Sequence, residues 1–106
     1  MTLNILGTEY EVIEQSKAEN QKLDGANGLC EIWAKKIVLD SEMIAPQPNL
    51  VDSPELLKKK VLRHEIIHAF FIESGMLDYC SDETLTDLLA FQVPKMVKVM
   101  QDADCL

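Results

Sequence analysis

An α+β fold is predicted by three observations: alternating apolar residues over positions 2 to 40, a proline-bearing break after them, and two long helical patterns in the second half. Leu3, Ile5, Tyr10 and Val12 alternate with polar residues around Gly7-Thr8, which predicts a hairpin. The polar stretch Ser16 to Gly28 reads as a loop. Leu29 to Trp33 and Lys36 to Asp40 are β-favouring runs separated by Ala34-Lys35, a second hairpin. Ala45 to Ser53 holds Pro46, Pro48 and Asn49 and must connect the sheet to the helical half of the chain. Ser53-Pro54-Glu55 then starts a helix, with Ser53 as cap, proline where its missing N–H costs nothing, and an acid near the positive helix end. That helix should run to Ser74 and stop at Gly75; from Arg63 to Ile72 apolar residues cover nearly its whole circumference, so this half should be buried. A last helix, capped by Ser81 or Asp82, carries Leu85, Leu89, Val93, Met96, Val97 and Met100 at helical spacing, with a kink expected at Pro94. The expected assembly is a small, mainly antiparallel sheet packed on the helix of about residues 54 to 74, with the helix of about 82 to 101 beside it.

A chain of 106 residues, 47% of them hydrophobic, fills a single domain, residues 1 to 106. Its 10 Lys and Arg against 18 Asp and Glu give a net charge of −8, a field that repels polyanions and argues against nucleic acid as a partner. No apolar run approaches the ~20 residues needed to cross a bilayer, and Met1 to Tyr10 lacks the features of a signal peptide, so no membrane association is expected. Cys30, Cys80 and Cys105 are odd in number and lack zinc-finger spacing, which suggests reduced thiols and a cytoplasmic protein.

The chemistry concentrates in His64-Glu65-Ile66-Ile67-His68, which contains both histidines of the chain. On a helix, residues four apart lie one turn up the same face, so both rings can reach one zinc ion at about 2.0 to 2.1 Å. Glu65, rotated by about 100°, is held back from ligation yet close enough to take a proton from a water on the metal. Without a metal, two imidazoles and a carboxylate in the most apolar part of the chain would each need a partner. A catalytic zinc keeps three protein ligands and one open position, so a third ligand must come from elsewhere. Glu83 opens the last helix and Asp87 lies one turn further on the same face. Asp82 and Asp78 are rival carboxylates, and Cys80 is a rival thiolate.

This HExxH helix followed by Glu83-Thr-Leu-Thr-Asp87 resembles the gluzincin class of zinc peptidases, whose second helix carries ExxxD. The resemblance implies that His64, His68 and Glu83 bind zinc, that Glu65 is the general base, and that Asp87 orients a zinc-bound histidine. The order of strand hairpins, Pro-rich connector, HExxH helix, short loop and acid-bearing helix with a downstream Pro94 is also similar to small phage or prophage zincins, distantly of the ImmA/IrrE type. The spacer from His68 to Glu83 is short for that class, and no third histidine is left to stabilise an oxyanion. Tyr79, between the two ligand-bearing helices, is the candidate donor for that role, with packing as the alternative. Lys58, Lys59, Lys60 and Arg63 read as a solvated helix face.

The expected function is therefore zinc-dependent peptide hydrolysis, with a peptide or protein substrate extended beside the sheet edge. The alternative, from a different class, is a zincin-fold binding module that keeps zinc as a structural staple and works by protein contact.

Overall fold

Strands β1 (Thr2–Ile5) and β2 (Thr8–Gln15) pair antiparallel, Thr2 opposite Glu11 and Ile5 opposite Thr8, as the alternating pattern predicts. Their turn falls on Leu6-Gly7, both at positive φ, and Asn4 Oδ1 accepts the Gly7 N–H at 2.8 Å. The second hairpin also forms, from β3 (Gly28–Glu31) and β4 (Lys36–Asp40). Its first strand is shorter than expected, and Trp33 is exposed in the turn rather than paired. The structure is a computed structural model and describes residues 1–44 and 54–106. The connector Ala45 to Ser53, including the expected cap Ser53, lies outside the described residues.

The hairpins join through a parallel pair: β4 lies beside β2 with Glu11 opposite Lys36 and Gln15 opposite Asp40, so the sheet order is β1-β2-β4-β3. Residues 16–27 cross from the end of β2 to the far edge and include a 3-10 turn, Gln21–Leu23, started by Asn20 Oδ1 on the Lys22 N–H. Leu23 of this turn is fully buried, as is Val38, which alternation points to the opposite face from Ile37 and Leu39. Asp40 is buried beside Lys17, whose ammonium also donates to the Ala26 carbonyl at 3.1 Å.

Three helices complete the chain: α1 (Pro54–Glu73), α2 (Leu77–Cys80) and α3 (Glu83–Asp102). The core lies between the sheet and α1 and joins Ile5, Tyr10, Val12, Ile37 and Leu39 to Val61 and Ala69. Gly75 ends α1 at φ +75, with the Met76 N–H closing on the Phe71 carbonyl at 2.9 Å. The expected burial of α1 from Arg63 onward is corrected: Glu65, His68 and Ala69 are buried, whereas Phe70 is exposed and Ile66 and Ile67 are half-buried. One stripe faces the sheet and a second meets α3, and a helix in contact on two sides leaves its remaining apolar residues at the surface.

Asp82, not Ser81, caps α3 and accepts the Leu85 N–H at 3.0 Å. The helix runs uninterrupted through Pro94. Proline has no N–H for the carbonyl four residues earlier, and that carbonyl, Ala90, instead accepts Arg63 Nε at 2.8 Å. Thr86 and Ala90 are buried and Leu85 and Leu89 half-buried, but Val93, Met96 and Val97 are exposed, so the apolar stripe is covered only in its first half. No described helix is long and apolar enough to cross a membrane.

Candidate metal centre

Two neighbouring stripes of α1 build the site. Val61, Glu65, Ala69 and Glu73, at four-residue steps, face the sheet, where Val61 and Ala69 enter the core and Glu73 bonds to β2. Lys60, His64 and His68 form the adjacent stripe, and Lys60 and His64 bond to residues of α3. Gly75 and the single turn of α2 bring the chain back so that the first turn of α3 stands beside the histidines.

There His64 Nε2 lies 2.9 Å from Glu83 Oε2, His68 Nε2 lies 3.0 Å from Glu83 Oε1, and the two ring nitrogens are 3.0 Å apart. His64, His68 and Glu83 are a group that could hold a metal ion, one ligand atom from each lying within 4.8 Å of the others. Asp87 Oδ1 is 3.1 Å from His64 Nδ1. An Nδ1–H donated to that carboxylate leaves the Nε2 lone pair facing inward. His68 Nδ1 meets Cys80 Sγ at 3.6 Å, again leaving Nε2 turned to the centre. Three acceptors converging at these distances need protons or a cation among them. A tetrahedral zinc with bonds of 2.0 to 2.1 Å places its ligands about 3.4 Å apart, so the donor set and its spacing fit zinc after movements of a few tenths of an ångström. Imidazole ligands suit zinc, copper, iron and nickel alike.

Electrostatics separates the carboxylates. Glu65 is 6% exposed, and burial, then the nearby Glu83 charge, push its carboxyl up to about 8 against a smaller opposing pull from Lys60. No hydrogen-bond partner reaches its side chain among the described residues. Asp87 is held below the usual range: burial works against ionisation, but the bonds and charges of Lys60 and His64 outweigh it. Burial lowers the basicity of His68 and raises the Cys80 thiol. On β3, burial and the neighbouring Glu65 push Cys30 up to about 12.

Of the rival ligands, Asp82 is occupied as the α3 cap, and Cys80 touches the outer nitrogen of His68 rather than the centre. Neither Asp82 nor Asp78 joins the group of converging ligand atoms. Tyr79 is exposed, and its ring packs against Phe71 with centroids 5.8 Å apart. Lys60 is not legible as part of the site within its run of lysines. It pairs with Asp87 and lies 4.8 Å over the Phe91 ring, and its position four residues before His64 is the one available signal. Gly28 likewise ends a stretch whose sequence reads as loop, yet a Cβ there would meet Val61 Cγ1 at 2.8 Å and Glu65 Cγ at 3.3 Å. Its missing side chain lets β3 approach α1 beside Glu65.

Compared with family models, curated proteins and solved structures, the chain has no match.

Proposed function

We propose that the protein is a zinc-dependent peptide hydrolase of the zincin type. The observation that carries this reading is the convergence of His64, His68 and Glu83 from two helices on one point. Zinc, when bound, supplies Lewis acidity that brings the pKa of a water toward neutrality and polarises a carbonyl. Around it, Asp87 holds His64 in the tautomer that presents Nε2. Glu65 is the base: its unpartnered carboxylate takes the proton of the attacking water and returns it to the departing amine. A cation beside Glu65 favours its ionised form, reversing the shift that burial imposes in the metal-free site.

The substrate lies along β3, an edge strand whose first residue, Gly28, sits against Glu65. An edge offers unpaired backbone groups to an extended peptide, which is how a short chain holds a polypeptide. The test is Glu65→Gln in zinc-loaded protein incubated with a mixed peptide library and read by mass spectrometry. Zinc should stay bound while cleavage seen with the parent disappears. Equal cleavage by Glu65→Gln overturns the reading.

A further inference from the structure

The ligand-bearing face of α3 does not end at Asp87. A groove of ≈ 470 Å³ opens from His64 and Glu83 along Thr84, Asp87, Leu88 and Phe91. Leu88 and Phe91 are 53% and 52% exposed, although they stand next to a site that has every reason to be polar. Their spacing from Thr84 and Asp87 keeps all four on one helical face. Phe91 is held in place: Lys60 lies 4.8 Å over its ring, and the same ammonium is tied to Asp87. Lys60 and Asp87 offset each other's charge, so the far end of the groove presents an aromatic ring and a leucine beside a neutralised pair. With Lys60 and Asp87 already paired, a basic or an acidic side chain entering there would find no unpaired counter-charge and would leave its own charge against apolar carbon.

We infer that Leu88 and Phe91 form a subsite that takes a large apolar side chain of the peptide, close to the bond that is cut. Cleavage there rests on the peptide-hydrolase reading, but the binding itself does not require turnover. Burying a leucine- or phenylalanine-sized group there should tighten binding by about 10- to 100-fold over alanine. The subsite makes the protein selective for peptide segments that a folded substrate would hide in its core, and therefore for extended or unfolded chains.

The experiment uses the full zinc-loaded chain carrying Glu65→Gln, so that nothing is consumed. The probes are N-acetylated, C-amidated octapeptides of alanine and glycine with one central Phe, Leu, Ala, Lys or Asp. Affinity is followed by amide shifts in labelled protein, and the same peptides are offered to the parent for cleavage. The Phe and Leu peptides should bind at least tenfold tighter than the Ala peptide and shift Leu88 and Phe91. Leu88→Ala with Phe91→Ala should remove that preference while leaving zinc stoichiometry and the weak binding of the Ala peptide unchanged. Both positions are exposed, so the double variant should fold, and unchanged zinc binding verifies that it has. Equal binding of all five peptides overturns the subsite, as does a preference that survives the double substitution. So does sedimentation showing the groove covered by a second copy that Phe91→Asp releases. Selective binding without cleavage by the parent leaves the subsite standing and overturns the hydrolase reading instead.

Discussion

Glu65 and Glu73 sit on the same stripe of α1, both facing the sheet, and their surroundings drive them in opposite directions. Glu73 accepts bonds from Lys35 at 2.9 Å and from Thr8 and Tyr10 at 2.7 Å each, which hold it down at about 2. Glu65 has burial and a neighbouring acid in place of donors and rises to about 8. One carboxylate is a structural tie, and the other is left free for chemistry. The same logic ranks the acids around the proposed zinc site. On that proposal Glu83→Ala removes a ligand and should weaken zinc binding most. Asp87→Ala removes the partner of His64 and should cost about 10- to 100-fold. Asp82→Ala should leave zinc affinity nearly unchanged and instead cost about 1 kcal/mol of stability through the lost cap. Competition titration against a chelator measures all three, and an Asp82 variant weaker than the Glu83 variant would contradict the ligand assignment. The histidine pair is legible in the sequence because helical spacing alone puts His64 and His68 on one face, whereas Glu83 enters only through the resemblance of its ExxxD helix to the gluzincin pattern. Lys60 is not legible, because three consecutive lysines point in three directions and its four-residue step to His64 gains meaning only once α3 is in place.

Elements are legible where the signal is local. Both hairpins follow from alternation and turn residues, but the parallel register of β2 on β4 depends on a crossover that no local pattern encodes. The short helix α2 escapes a sequence reading for a related reason: a single turn has no periodicity to read. The sequence predicts a kink at Pro94, and the more informative consequence of that residue is the freed carbonyl of Ala90, which Arg63 satisfies from α1. Arg63→Met should therefore destabilise the α1–α3 contact by about 1 to 3 kcal/mol. Pro94→Ala restores an N–H to Ala90 and should reduce that penalty, so a double-mutant cycle in urea should show coupling well above about 0.5 kcal/mol. Additive effects would show that Arg63 stabilises by packing alone. Gly28→Ala tests the closeness of β3 and α1. The added methyl meets the buried, β-branched Val61 and the Val38 carbonyl at 3.3 Å, so about 1 to 3 kcal/mol should be lost. A Gly28→Ala variant as stable as the parent would mean that the sheet and helix separate without cost.

At the scale of the molecule, the radius of gyration is 14.4 Å, against about 13 Å for a compact chain of this length. The second half of α3 carries its apolar stripe past the core that its spacing predicts it to join, with Met96 and Val97 exposed. Charge predicts how the whole fold responds to pH. Glu73 is depressed to about 2 and Asp40 is also lowered, where burial opposes ionisation but Lys17 and the Glu42 N–H outweigh it. Both groups bind protons more readily in the unfolded chain, so their contribution is complete above about pH 5 and is lost as pH falls toward the folded values. Glu65 has the opposite sign: its contribution is complete below its unfolded value near about 4.3 and is lost as pH rises through about 8. Urea midpoints of the metal-free protein should therefore peak on the acid side of neutrality. Glu73→Gln should flatten the acid limb, Glu65→Gln should flatten the alkaline one, and unchanged limbs would contradict these assignments. Whether α1 and α3 build one metal site is read from zinc stoichiometry. Protein stripped by chelator, reloaded, desalted and analysed for metal should hold one zinc per chain, and the His64→Ala, His68→Ala double variant should hold almost none. Stoichiometric zinc in that variant, or none in the parent, would contradict the account.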